Sequence, residues 1–287
     1  MIVSTLFNEF IVFSFMGWIY ECLFCTIVDK RWDNRGFLFG PVCPIYGVGA
    51  VTALTIFYRI AGAFNVDFQH TGIVYVFLIC MFGTAVIEYT TSYVLEKVFH
   101  AVWWDYSNAP LNINGRVCLP ASLAFGVAGV IIVRYFFPIV LMAENKLGKY
   151  PVMTELVSLI FMAVFAADLV LTVQSLTDLL SKVEAAEKEF NIRLEGTVEK
   201  VGDTVEKVGD TVGNAVGKVS GTVGLTAERA KEYASKLNYR ERYLLKNVKF
   251  KMPGAAKTAA RIKEYTPTNI FRRITADDKD KENETKG

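Results

Sequence analysis

The chain has 287 residues, 52% of them hydrophobic, and its 31 Lys and Arg nearly balance its 29 Asp and Glu. These averages hide two unlike parts, because only 9 basic and 12 acidic residues lie within 1–180 and the rest of the charge follows. The composition therefore excludes a uniformly soluble chain and indicates a membrane part followed by a charged, water-exposed tail.

Apolar segments predict five membrane spans. About 20 apolar residues, at about 1.5 Å each, cross the hydrocarbon core of a bilayer, and five stretches qualify, near 6–28, 41–60, 71–95, 119–142 and 152–176. We predict an all-α fold, with a polytopic transmembrane bundle of about five helices over 1–180. An amphipathic helical segment over 181–228 and a basic, then disordered cytoplasmic tail over 229–287 complete the prediction.

Charge asymmetry gives the expected orientation. An odd number of spans puts the two termini on opposite sides, and the positive-inside rule keeps the basic tail in the cytoplasm. The N-terminus is then outside, and the loops that contain Arg35 and Arg116 are inside. The first apolar run lacks the basic n-region and cleavage site of a signal peptide, so we expect it to remain as the first span.

Cysteine and histidine patterns give no strong cofactor signal. The odd number of cysteines argues against a secreted disulfide framework and predicts free thiols. Cys22-x-x-Cys25 has the spacing of a redox or metal pair, but packing as small hydrophobic residues is the favoured interpretation. His70 and His100 make no metal motif, and the chain has no P-loop. We therefore expect no metal and no cofactor.

Two consecutive helical hairpins repeat the same order of residues. Each has a span with a glutamate, a Trp-Asp pair, an arginine, a cysteine followed closely by proline, and then a glycine-bearing span. The glutamates are Glu21 and Glu88, each about seven residues, or roughly 10 Å, from the cytoplasmic end of its helix. Divergent parallel repeats of this kind favour a transport role, although coincidence is an equal alternative because the spacings differ.

Ionisable residues in the spans are the first candidates for a site, since each costs about 2.5–3.5 kcal/mol near the bilayer centre. Eight residues are predicted to line or gate a substrate pathway: Glu21, Arg35, Glu88, Asp105, Asn114, Arg116, Arg134 and Asp168. The alternative is structural ion pairs between helices. These would join Arg134 to Asp168 or Glu155, and Glu21 or Glu88 to Arg35 or Arg116.

The tail combines a valine stripe with a basic segment. Val198, Val201, Val205, Val208 and Val212 recur at alternating steps of three and four residues, which predicts an amphipathic helix. Between Arg229 and Arg273 stand 13 basic and 3 acidic residues. Anionic lipid headgroups suit this charge better than nucleic acid, because a tethered tail meets lipid first. The predicted lipid-binding residues are Arg229, Lys231, Lys236, Arg240, Arg242, Lys246, Lys249 and Lys251.

Three motifs carry a family resemblance: FSFMGWIYE at Phe13–Glu21, NRGFLFGPVCPIYG at Asn34–Gly47 and WDYSNAPLNINGRVCLP at Trp104–Pro120. Together they resemble the bacterial membrane family named "Putative ABC-transporter type IV", the CmpB-like ABC transporter permeases. The resemblance implies a permease subunit that works with a separately encoded ATPase in a bacterial plasma membrane, of Gram-positive type. The EAA loop of conventional importer permeases is absent from the spans, since Glu184-Ala185-Ala186 follows the last one.

Three functions are compatible with these features. The first is a transport subunit, whose partners are the bilayer, a separate ATPase and, as an open alternative, a second copy of the chain. The second is a membrane-embedded scaffold or regulatory protein with a lipid-binding cytoplasmic tail. The third is a membrane enzyme, which the sequence disfavours because no recognised nucleophile and base stand together.

Overall fold

The structure, a computed structural model, describes residues 2–29, 36–64, 72–207 and 227–267. It divides into two compact units. The first comprises 1–98 and 102–173, and the second comprises 99–101 and 174–287.

The described part of the chain is mainly helical, and the prediction of an all-α fold is confirmed. Its helices are α1 (Ile2–Asp29), α2 (Pro44–Leu54), α3 (Ala61–Ala63), α4 (Ile73–Phe99), α5 (Leu119–Ile131), α6 (Phe137–Leu147), α7 (Pro151–Lys207), α8 (227–236), α9 (Tyr239–Asn247) and α10 (Pro253–Glu264). Its short strands are β1 (Ala101–Val102), β2 (Asn112–Ile113), β3 (Val117–Cys118) and β4 (Lys249–Phe250). β2 pairs antiparallel with β3, and β1 pairs with β4.

Among the described residues, five helical segments are long and apolar enough to cross a membrane, which confirms the predicted number of spans. They are Ile2–Ile27, Pro44–Ala63, Ile73–Phe99, Leu119–Leu147 and Pro151–Glu189. The second and fourth spans each contain a π-helical turn, at Thr55–Ile60 and at Ile132–Phe136. Pro138 explains the latter, because it has no N–H to donate to the Arg134 carbonyl and so interrupts the regular α-helical ladder.

The two π-helical turns strengthen the case for an internal repeat. Each lies in the second helix of its hairpin, and each carries an arginine. Arg59 follows Cys43 by 16 residues, and Arg134 follows Cys118 by the same 16. The Tyr58 hydroxyl donates to the carbonyl of Val133 at 2.7 Å, so corresponding turns of the two helices meet in the bundle.

Glycines allow the first hairpin to pack closely. A Cβ on Gly17 would collide with the ring of Tyr46, and a Cβ on Gly47 would lie within 2.5 Å of the backbone oxygen of Phe10. Small residues have this role in membranes because helices there gain no hydrophobic free energy by leaving lipid. Gly126 and Gly129 have the same role in the second hairpin, against Phe77 and Cys80. Gly83, in contrast, faces open space.

The second unit has apolar residues buried along every one of its helices. They are Leu176, Leu179, Val183, Ala186, Ala230, Ala234, Leu237, Leu244, Leu245, Val248, Phe250, Ala255, Ala259 and Ile262. The buried carboxylate of Glu241 accepts from Lys182 Nζ at 2.6 Å, and it also caps α9 together with Asn238. The predicted valine stripe, Val198 to Val212, lies outside the residues whose side chains the structure describes.

Replacing Gly47 by alanine tests the close packing of the first hairpin. We expect Gly47→Ala to destabilise the bundle by about 1–3 kcal/mol, because the added methyl group overlaps backbone that cannot move aside. Thermal unfolding in detergent, followed by tryptophan fluorescence, measures the change. Gly83→Ala is the matched control, since its methyl group meets no neighbour and should leave the midpoint unchanged or raise it. Equal midpoints for both variants would contradict the packing described for Gly47.

Candidate functional site

Most of the predicted pathway residues lie towards one end of the first unit. α1 and α4 end there, and α2 and α5 begin there, so the loops before Pro44 and before Leu119 share that end. We call it the loop end. Glu21, Glu88, Asp105, Asn114 and Arg116 lie in or near it. Arg35 lies outside the described residues, and Arg134 lies in the π-helical turn of the fourth span, more than three helical turns beyond the start of α5.

Glu21 is held by the helix that follows it in the hairpin. The Tyr46 hydroxyl donates a hydrogen bond to Glu21 Oε1, and Gly17, one turn earlier, leaves room for the tyrosine ring. The adjacent thiol of Cys43 is buried, and its backbone N–H donates to the Ser14 carbonyl at 3.0 Å. Burial, followed by the nearby Glu21 and Cys22, raises the pKa of Cys43 to about 12. Cys43 is therefore a packed thiol rather than a nucleophile.

Glu88 is the most deeply buried of the predicted acidic residues, and it also faces a tyrosine. Its Oε1 accepts from the Tyr106 hydroxyl at 3.4 Å, while its buried Oε2 has no hydrogen-bond donor among the described residues. Burial raises the pKa of Tyr106, and the nearby Glu88 raises it further. Each glutamate of the loop end therefore accepts a hydrogen bond from its own tyrosine, Glu21 from Tyr46 and Glu88 from Tyr106.

Arg116 clamps the loop between α4 and α5. Its Nη2 donates to Glu96 Oε2 at 2.9 Å, and its Nη1 donates to the Tyr89 hydroxyl at 3.3 Å. The guanidinium also lies 5.2 Å and 5.4 Å from the ring centres of Tyr89 and Tyr93. Cation–π contact and hydrogen bonding together fix the arginine on α4. The predicted ion pair of Arg116 with Glu21 or Glu88 is replaced by the pair with Glu96.

The same loop is shaped by its own polar side chains. Asp105 Oδ1 accepts from the N–H and the hydroxyl of Ser107 at 3.1 Å and 2.5 Å. Asn112 Oδ1 accepts from Gly115 N–H at 3.1 Å, and Asn114 donates to the Tyr89 hydroxyl at the same distance. Asp105 and Asn114 therefore order the loop. The sequence alone could not distinguish this structural role from a role in lining the pathway.

Three residues of this loop, His100 with φ 51° among them, have left-handed backbone conformations that are uncommon outside glycine. Leu111 has φ 50° and Asn114 has φ 53°. Leu111 is also 74% exposed, and the neighbouring Ile113 is 59% exposed. A branched apolar residue in this conformation is retained only where the surrounding contacts enforce it, and such positions cluster at functional sites.

Asp168 anchors the other loop to α7. Its two carboxylate oxygens accept from the backbone N–H groups of Phe39 and Gly40 at 3.3 Å and 2.9 Å. A Cβ on Gly40 would lie 2.9 Å from Asp168 Oδ2, so glycine is what permits this approach. Asp168 thus satisfies backbone donors, whereas the sequence suggested an ion pair with Arg134.

A charged cluster at the opposite end of the bundle was missed by the sequence analysis. Arg59 donates to both carboxylate oxygens of Glu9, at 3.1 Å and 2.6 Å, and to Glu144 at 3.3 Å. Glu9 is not among the eight residues that the sequence predicts for the pathway. Its position inside a span was the available signal, because such a carboxylate requires a partner.

The predicted lipid-binding residues belong to the second unit. Arg229 pairs with Glu232 and Glu189, and Lys236 pairs with Glu232. The hydrogen bonds from Lys236 and Arg229 hold the pKa of Glu232 below its usual range. Exposed basic residues of this set are Lys231, Lys236, Arg240, Lys249 and Lys251, while Arg242 and Lys246 are half-buried.

The structure offers no evident metal centre in the ranges that it describes. The five cysteines form no disulfides, and no group of three or more His, Cys, Asp or Glu side chains stands together among the described residues. The Cys22-x-x-Cys25 pair therefore has no further ligands there.

Replacing Arg116 by lysine tests the clamp. Lysine keeps the charge but loses the planar fork, so we expect residues 104–118 to exchange their amide hydrogens on the order of tenfold faster, a loss of about 1–2 kcal/mol. Hydrogen exchange followed by mass spectrometry, on the protein in detergent, measures the exchange rate of these residues. Lys97→Gln, one residue after Glu96, should leave the loop protected. Unchanged exchange in Arg116→Lys would show that the clamp does not hold the loop.

Comparison with known proteins places the chain in a family. The family model described as "Putative ABC-transporter type IV" matches residues 8–173, which is more than half of the chain and runs from within the first span to within the fifth. No curated protein and no solved structure matches the chain. The matched residues contain the paired glutamates, the clamped loop and the Asp168 anchor, so the chain is a multi-pass membrane protein that belongs to the ABC-transporter type IV family.

Proposed function

We propose that the chain is the permease subunit of a transporter that is driven by a separate ATPase. The observation that carries this proposal is the pair of intramembrane carboxylates, Glu21 and Glu88, which two similar hairpins contribute and which each accept a hydrogen bond from a tyrosine, Tyr46 and Tyr106 respectively. Polar groups at the interface of repeated halves are where transporters bind their substrates. Membership of the ABC-transporter family supports the energy source.

The polar residues of the loop end have distinct proposed roles. Glu21 and Glu88 line the path, because each presents a carboxylate inside a span and neither forms an ion pair among the described residues. Asp105, Asn114 and Arg116 set the shape of the path entrance through the ordered loop. Asp168 holds the companion loop, while Arg35 and Arg134 are proposed as further lining residues on the sequence evidence.

The ordered loop is proposed as the docking surface for the ATPase. Leu111 and Ile113 stand exposed on a loop whose backbone is fixed by Arg116 and Asn112. Rigid presentation of apolar side chains lowers the entropy cost of association with a folded partner. The proposed orientation, with the N-terminus outside and the tail inside a bacterial plasma membrane, puts this loop on the side where ATP is found.

Site-specific photo-crosslinking tests the docking surface. A benzoyl-phenylalanine at Leu111 of the full-length chain should capture a protein that copurifies in mild detergent and has ATPase activity. The matched control is the same group at Val86, which is also exposed but lies within a span and should capture no soluble protein. Capture of nothing at Leu111, together with purification of the chain alone, would refute the permease assignment.

A second candidate function is a scaffold or regulator that binds lipid through the second unit. The observation in its favour is the basic surface of a folded segment. Residues 227–267 contain 11 Lys and Arg but only 4 Asp and Glu. One of the four acidic residues, Glu241, is buried against Lys182, so the exposed surface is more basic than the count suggests. Each basic group near an anionic leaflet contributes about 1 kcal/mol of attraction.

Hydrogen exchange in lipid nanodiscs tests this candidate. Full-length protein in phosphatidylglycerol should show slower exchange over 236–251 than protein in phosphatidylcholine. Replacing Lys236, Arg240, Lys249 and Lys251 by glutamine should remove the difference, because the electrostatic attraction is lost. The control Lys146→Gln with Lys149→Gln removes exposed charges elsewhere and should preserve it. Identical exchange in both lipids would refute lipid binding by this unit.

A further inference from the structure

Three charged side chains from three helical elements meet at the end of the bundle opposite the loop end. Glu9 lies in α1, Arg59 in the π-helical turn of the second span, and Glu144 near the end of α6. The guanidinium spans both Glu9 oxygens at 3.1 Å and 2.6 Å and reaches Glu144 at 3.3 Å. One arginine therefore ties three parts of the first unit together.

The members of this cluster are buried to different degrees. Glu9 is only 6% exposed, whereas Arg59 and Glu144 are 30% and 34% exposed. The Glu9 carboxylate is thus sealed inside the bundle, and its charge is compensated only while Arg59 remains in place. Removing one member of such a pair is strongly unfavourable because it leaves an uncompensated buried charge.

An apolar layer lies directly beneath the charged cluster. It consists of Phe13, Leu54, Phe57, Val76, Cys80, Val133 and Phe137, all of them buried. The rings of Phe13 and Phe137 meet edge to face with centres 5.6 Å apart. Phe13 follows Glu9 by one helical turn, so the charges stand above the layer and the layer separates them from Glu21.

We propose that Glu9, Arg59 and Glu144 form a latch that closes the outer end of the transport path and that breaks when this end opens. The charged latch and the apolar layer seal one end, while polar groups line the other. The π-helical turn gives Arg59 a means of release. Conversion of that turn to a regular α-helix rotates the residues on one side of it by about 100° relative to the other, which withdraws the guanidinium from Glu9.

The inference deepens the proposed function and rests on it for the idea that the outer end opens during a working cycle. The native Cys80 thiol provides the reporter, because it is 7% exposed and forms part of the apolar layer under the latch. Full-length protein in right-side-out vesicles is treated with a membrane-impermeant maleimide. Peptide mass spectrometry then measures the rate at which Cys80 is labelled.

We expect Cys80 to be protected in the native protein and to be labelled on the order of tenfold faster in Glu9→Gln, since loss of about 1.4 kcal/mol from the closed state changes its population tenfold. Glu144→Gln removes only the outer contact and should give a smaller increase. The double variant Glu9→Gln with Arg59→Gln removes both charges of the pair, so no unpaired charge is left buried. It can therefore replace Glu9→Gln in the test if the single variant does not fold. It should be labelled as fast as Glu9→Gln.

Glu96→Gln is the matched control, because it breaks a single ion pair at the loop end and should leave Cys80 protected. Native labelling rates in folded Glu9→Gln and in the double variant would overturn the latch. Labelling of Cys80 only in inside-out vesicles would also overturn it, since the latch would then face the cytoplasm. Faster labelling from outside in a protein that binds no ATPase would support the latch and refute the permease assignment, which keeps the two outcomes apart.

Discussion

The absence of water in the bilayer core is the constraint on which the rest of the structure depends, because a charged group there has to find its partner within the bundle. Glu9 accepts hydrogen bonds from Arg59, and Asp168 accepts them from two backbone N–H groups. Glu88 and Glu21 accept hydrogen bonds from Tyr106 and Tyr46 respectively. Each partner comes from a different segment of the chain. These polar contacts consequently fix which helices are neighbours, and lipid-like apolar contacts between them could not do so alone.

The two hairpins share a plan but differ in their charges. Their glutamates and their cysteine-to-arginine spacing correspond, and both second helices contain a π-helical turn. Counting back 12 residues from Glu21 gives Glu9, whereas the same step from Glu88 gives Val76. The first hairpin therefore brings a carboxylate to the far end from its first helix, whereas the second hairpin brings Glu144 there from its second helix. The far-end carboxylates thus stand on non-corresponding helices, while the loop-end glutamates, Glu21 and Glu88, both lie in the first helix of their hairpin.

The second unit extends the chain beyond a simple membrane bundle. Burial of leucine, valine and alanine along α7–α10, and of the Glu241 carboxylate, indicates that the described residues of this unit have a folded core of their own. Lys182, which is 38% exposed, pairs with that carboxylate, and the pair favours the arrangement of helices that keeps the two together. The basic groups are left on the outside of that core, where a headgroup or a partner protein can reach them.

The sequence by itself determined the helical class, the number of spans and the family, because each depends on local composition and motif. Runs of about 20 apolar residues can be satisfied in lipid only as helices, whatever their neighbours are. It also pointed to Glu21, Glu88 and Arg116, since charges inside or next to spans are costly. The tertiary structure decided their partners. Arg116 pairs with Glu96 and two tyrosines, Asp168 holds backbone amides, and Glu9 meets Arg59 fifty residues away. Such pairings depend on which helix faces meet, and periodicity along one chain segment does not contain that information.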